Sequence, residues 1–287
     1  MNCFVQIDTK DPAAVCREAK QVHKWLFGQD EGGEVFVERA FDWFVSAFGG
    51  QYLDYQAVDM AYHDREHSLQ GALCYVRLMY NRHQAGAEPV VPRDMFELGL
   101  IAILLHDSGY LKRNGDAVGT GAKYTLEHVD RSCIFARELL TDKGFSADDI
   151  LKVQHMINCT GLNVDFDSID FQTQLERTIG LSVATADLLG QMSAVDYVDR
   201  ISDLFKEFNE CWEYSGDRAE SLHYESVDQL LDQTPNFWEK YVKHKIDTNC
   251  MGLYRFLRQP YPNGPNEYIM RIEANIDRVR EINARRQ

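Results

Sequence analysis

Apolar residues recur along most of this chain at spacings of three and four, the period of a helix that buries one face. Strict alternation of β-branched residues, the mark of a half-buried strand, is scarce, so the pattern predicts an all-α fold. Asp11-Pro12 reads as the cap and first turn of a helix reaching about Phe27. The stretch from Gly28 to Gly33 breaks it, and a second helix, rich in Phe and Trp, is expected from about Glu34 to Phe48. A third runs from about Glu66 to Arg82. After a loop with Gly86, Pro89 and Pro92, a fourth spans about Arg93 to His106, and its run from Leu98 to Leu105 is apolar apart from Gly99. Further helices are predicted from about Leu126 to Leu140, Ala147 to Asn158, Asp170 to Met192 and Asp196 to Tyr214. Ser226 to Arg258 holds one or two more, interrupted near Pro235. A proline-rich turn from Gln259 to Pro265 precedes a final amphipathic helix from Glu267 to Arg285.

At 287 residues the chain can bury a substantial core. The stretch 61–195 is expected to form that core, with 1–60 packed on it and 196–287 as a helical extension of the same compact unit. No run approaches the roughly 18 apolar residues of a membrane span, and the N-terminal MNCFVQIDTKD lacks a basic, apolar leader. The 7 cysteines are dispersed without a CxxC pair, which predicts reduced thiols and a cytoplasmic home. The formal net charge of -15 argues against binding a nucleic-acid polymer, which needs Lys and Arg to displace counterions. A small anionic substrate stays open, because a bound cation inverts the local field of an acidic protein. The acidic balance and the aromatic terminal helices are compatible with a homodimer, which no motif specifies.

The candidate chemistry lies in the middle of the chain. His106-Asp107 ends an apolar helix, where two unpaired polar groups would cost a few kcal/mol, and a metal ion would satisfy both at once. His67, His106, Asp107 and Asp187 together offer four ligands from three helices, a known way to hold an ion in a helical core. His128 and His155 would add a second ion, with Asp107 bridging the two. Imidazole with carboxylate suits Fe, Mn, Mg or Zn to different degrees. Asp64 would orient His63 or His67, or cap the helix. The glycine-rich segment from Gly109 to Gly121 reads as a long loop beside the site. Lys112, Arg113 and Lys123 border it as candidate phosphate ligands, although loop cations are more often merely solvated. Gln191, one turn beyond Asp187, could reach a substrate base or sugar, or simply sit between helices.

These residues carry a resemblance. His67, His106-Asp107 and Asp187 resemble the H…HD…D signature of the HD-domain superfamily of metal-dependent phosphohydrolases. Tyr62-His63-Asp64-Arg65-Glu66-His67 is similar to the YHNxxH motif of cyclic-nucleotide phosphodiesterases, with Asp in place of Asn. His106-Asp107-Ser108-Gly109 matches the HDxG element. Glu127-His128 with Ser132 resembles EHxxxS, and Ala186-Asp187-Leu188 fits the end of the motif. The likeness covers roughly residues 60 to 195, and the whole layout is closest to uncharacterised bacterial members. It implies an HD-type helical core holding two divalent ions on His67, His106, Asp107, His128, His155 and Asp187. It also implies hydrolysis of a phosphomonoester or phosphodiester, nucleotide-like, by attack of a metal-bound hydroxide. Asp107 or Asp187 would help hold and orient that hydroxide, and His63 would protonate the leaving oxygen. Two other readings share the ligand set. HD-type oxygenases, including inositol oxygenase and a phosphonate-cleaving enzyme, use a di-iron pair, and a non-catalytic HD protein would only bind a ligand.

Overall fold

The computed structural model describes residues 7–29 and 31–286, and among them the chain is all-α, with isolated bridges and no sheet. Met1 to Gln6, read above for the absence of a leader, and Cys3 lie outside the described residues. No described helix is long and apolar enough to cross a membrane. Cys16, Cys74, Cys133, Cys159, Cys211 and Cys250 are unpaired.

The order is α1 (Pro12–Phe27), α2 (Glu31–Phe48), α3 (Arg65–Gln84), α4 (Arg93–Leu105), α5 (His128–Asp142), α6 (Ala147–Asn158), α7 (Gln174–Met192), α8 (Tyr197–Ser215), α9 (Val227–Asn236) and α10 (Glu267–Arg286). Caps explain most of the starts. Asp11 accepts from the Ala13 N–H with Pro12 at the first position, and Ser146 accepts from Asp149 N–H at the head of α6. α7 begins four residues later than its pattern suggests, because Thr173 caps it through the Glu176 N–H.

Two expectations are corrected. Gly32 and Gly33 do not break the chain but lie inside α2, which starts at Glu31. A Cβ on Gly33 would sit 2.1 Å from Cε1 of His23, so glycine there is a condition of close packing between α1 and α2. His23 is itself buried and bonded to Glu97 of α4 at 2.9 Å. Pro235 does not interrupt the helical path either. The chain continues as π-helix through Phe237–Val242 and Lys245–Asn249. Proline cannot donate to the carbonyl four residues back. That carbonyl, on Leu231, accepts instead from Asn283 Nδ2 of α10 at 3.1 Å.

α3 and α4 are buried almost all round, and α3 packs most extensively on α7. α1 and α2 cover one side of this centre, α5 and α6 another, and α8 to α10 pack outside α7. A single hydrophobic cluster runs from Val15 through Leu105 and Leu189 to Val279, so all three stretches of the chain share it.

Candidate metal centre

Two helix ends and the flank of a third helix converge on one buried point. Asp64 caps α3 by accepting from the His67 N–H at 3.1 Å, which fixes His67 on the first turn. α4 ends at Leu105, and His106-Asp107 turn the chain into a short 3-10 segment, Ser108–Tyr110. Ser132 of α5 braces this turn. Its Oγ donates to the His106 carbonyl at 2.5 Å and accepts from the Gly109 N–H at 2.8 Å. α7 delivers Asp187 from the middle of its length.

His67 Nε2 lies 3.1 Å from Asp107 Oδ2, 3.2 Å from Asp187 Oδ1 and 3.2 Å from His106 Nε2. His106 Nε2 is 3.4 Å from Asp107 Oδ2 and 3.3 Å from Asp187 Oδ1. Ligands held ~2.0–2.1 Å from a small divalent ion stand about 3.0–3.4 Å apart. The protons point the same way. A backbone carbonyl only accepts, so His106 Nδ1, 2.8 Å from Ile103 O, carries the hydrogen and leaves a lone pair on Nε2 in the neutral ring. Three acceptor atoms thus face His67 Nε2, which can hold a single proton. Asp107 Oδ2 and His67 Nδ1 are buried without a hydrogen-bond partner. His67, His106 and Asp107 form a donor set that could hold a cation, and Asp187 Oδ1 stands beside it, 3.2 Å from His67 Nε2 and 3.3 Å from His106 Nε2.

Without an ion the charges lean on one another. Burial alone would lower the His67 pKa, but Asp107 and Asp187 outweigh it and push the imidazole up to about 10. His106 is raised for the same reason against the same burial penalty. Burial would raise both carboxylates, yet the two imidazoles hold Asp107 and Asp187 below the usual range.

His128 stands next to this cluster, with Nε2 3.9 Å from Asp107 Oδ1. Its Nδ1 donates to Thr125 O at 2.6 Å, which again leaves Nε2 as the lone pair, and burial lowers its pKa. His155 makes its contacts elsewhere: Nδ1 donates to Glu176 Oε1 at 2.7 Å and the ring meets Phe171. Three of these imidazoles therefore have Nδ1 anchored to an acceptor, the arrangement that orients metal-binding histidines.

His63 sits at the rim, with its ring centroid 5.4 Å from that of His67. Its Nδ1 is 2.6 Å from Glu207 Oε2 of α8, and Glu207 Oε1 accepts from the Tyr62 N–H at 2.6 Å. The ring of Tyr110 stacks between His63 and His128, at 5.0 and 4.7 Å. Asp64 does not contact the His63 ring; besides capping α3 it accepts from Arg200 at 3.0 Å. Gln191 donates to Asp187 Oδ1 at 3.3 Å and accepts from the Tyr62 hydroxyl at 3.0 Å. With His67, Gln70 and Arg200 it lines a narrow cavity beside the cluster.

The loop cations behave differently from their expected role. Lys112 and Lys123 are buried. Lys112 Nζ binds Asp59 at 2.7 Å and Gly119 O at 2.6 Å, and Lys123 Nζ binds Asp116 and Val118 O. Arg113 pairs with Asp54 and with both oxygens of Glu138. Each is engaged by the fold of the loop. Sequence reasoning missed Glu176, Glu207 and Tyr110. Thr173 with Glu176 has the spacing of a capping box, and Glu207 interrupts the apolar face of α8 between Leu204 and Cys211. Those were the available signals.

A family model described as Npun_R2479-like matches residues 114–259, just over half of the chain. No curated protein matches it. The matched segment holds His128, His155, Glu176, Asp187 and Glu207, while His63, His67, His106 and Asp107 precede it.

Proposed function

We propose that this chain, which belongs to the Npun_R2479-like family, is a metal-dependent phosphohydrolase of HD type acting on a small, nucleotide-like phosphoester. The observation that carries the reading is the approach of Asp107 Oδ2 and Asp187 Oδ1 to within 3.1–3.4 Å of both His67 Nε2 and His106 Nε2, beside the His63–Glu207 pair. Two neutral imidazoles and two carboxylates bring two negative charges, which balance a divalent cation. Such an ion, when bound, supplies Lewis acidity to a phosphoryl oxygen and acidifies water. His63 holds its Nδ1 hydrogen on Glu207, so in the imidazolium form Nε2 carries the proton that a leaving oxygen needs. Glu207 fixes the tautomer and the ring plane, and Tyr110 packs against the ring face. Gln191 steadies the Asp187 carboxylate.

The test is a metal-depleted protein reloaded in turn with Mn, Fe(II), Mg and Zn and offered nucleoside monophosphates, cyclic nucleotides and dinucleotides. Phosphoester turnover is expected only with metal, and Asp107→Asn should abolish it. Absence of turnover from protein shown to hold the ion would overturn the reading.

One observation favours a second reading. Asp107 turns Oδ2 to the four-atom cluster and Oδ1 towards His128, as a carboxylate between two ions would. With His128 beside it, that set also suits a di-iron oxygenase, which His155, now held on Glu176, would have to complete. Two irons per chain with oxygen-dependent turnover would select it; anaerobic turnover with Zn or Mg would remove it.

A further inference from the structure

A second cavity opens at the other end of α3. His67 is on the first turn of that helix and Arg82 near its last, about 22 Å away at ~1.5 Å per residue. The cavity measures about 180 Å³. Its walls are mainly apolar, with Phe27 from α1, Met79 from α3, Phe96 from α4 and Val91 from the loop between α3 and α4. Arg82 also lines it. That residue is 2% exposed, and its Nε has no hydrogen-bond partner.

A buried guanidinium nitrogen without an acceptor is costly, and of the polar side chains that line the cavity (Arg82, His83 and Glu88) Arg82 is the buried one. The natural partner is a carboxylate, whose two oxygens match the planar fork. Glu88 lines the same cavity and acts electrostatically on Arg82, but it is exposed, and its carboxylate accepts from the Val90 N–H at 3.0 Å. Its presence disfavours a dianion such as phosphate and leaves room for a monoanion. The volume sets the body of the ligand. A dry cavity of ~150 Å³ accepts benzene, so 180 Å³ accepts a ring carrying one carboxylate.

We propose that this cavity is an accessory binding site for a small aromatic carboxylate of about benzoate size, with its carboxylate on Arg82 and its ring between Phe27, Met79 and Phe96. It is remote from the metal centre and does not depend on the function proposed for that centre.

The test is calorimetric titration of the full chain with benzoate, with benzamide as the uncharged isostere, and with sulfate. Benzoate should bind saturably at one site per chain. Benzamide should bind at least ~10-fold more weakly, as expected when a charge-assisted hydrogen bond is lost. Sulfate should not displace benzoate, and chelation of metal should leave the affinity unchanged. Arg82→Met should weaken benzoate ~10-fold and erase its advantage over benzamide. If that variant does not fold, the wild type answers alone, through NOEs between the benzoate ring protons and the Met79 methyl group. No saturable binding, equal binding of benzamide, displacement by sulfate, loss on chelation, or absence of those NOEs at saturation would each overturn the proposal.

Discussion

His63 and Glu207 meet although 144 residues of chain separate them. If His63 delivers a proton, His63→Asn should retain the metal and lower kcat by ~10²–10⁴ for substrates with poor leaving groups. It should lower kcat far less for p-nitrophenyl esters, whose leaving group needs no proton. Glu207→Gln should give a smaller loss and displace the acid-to-base limb of the pH profile; equal losses for both leaving groups would remove the general-acid role. The candidate metal ligands invite a second measurement, on chelated protein. His67 has a folded-state pKa near 10 against ~6.5 unfolded, so its stabilising effect is complete below pH ~6.5 and lost as pH rises through 10. Asp107 and Asp187 are depressed, so theirs is present above pH ~4 and lost on further acidification. The Tm difference between wild type and His67→Gln should therefore shrink from pH 6.5 to 10. Over the same interval the Tm gained on adding metal should grow, because the ion competes with that proton. A difference that stays constant across the interval would contradict this. His106 and Asp107 could be picked out beforehand as a polar pair at the end of an apolar helix, and His67 and Asp187 by the spaced pattern they complete with that pair. Glu207 could not, because what makes it functional is a histidine folded against it from far along the chain.

The elements show where local pattern suffices. Helix starts with a capping side chain, such as those of α1 and α6, fall where the sequence puts them, since cap and first turn are neighbours in the chain. Gly33 and Pro235 mislead because what decides them is tertiary: a histidine ring against α2, and an asparagine from α10 that takes over an orphaned carbonyl. The segment between Tyr110 and Gly121 reads as exposed and charged, yet it is held by Lys112 and Lys123 from within and by Glu210 of α8, which accepts from Thr120 Oγ1 at 2.6 Å. Lys112→Met leaves Asp59 and the Gly119 carbonyl without their cation and should cost about 1–3 kcal/mol in chemical denaturation. The KM for a phosphoester should not change. A raised KM at unaltered stability would restore the phosphate-binding role.

For the molecule as a whole, the site depends on how closely α3 and α7 approach. Gly190 lies one turn after Asp187, and a Cβ there would stand 2.8 Å from the backbone of Gln70 and Gly71, one turn after His67. Gly190→Ala should push the helices apart, cost about 1–3 kcal/mol, and weaken metal binding on the order of 10-fold. Wild-type Tm and metal affinity in that variant would show that the seam is not so constrained. The same layout has a consequence for any ion held there. His67 and His106 are separated by 39 residues of chain, and Asp187 is further still. Tying such distant points together removes freedom from the unfolded chain that grows with the length enclosed. The ion would thus act as a clasp as well as a reagent. A segment cut at residues 114 and 259 would carry the family's likeness and, of the four clasping residues, Asp187 alone.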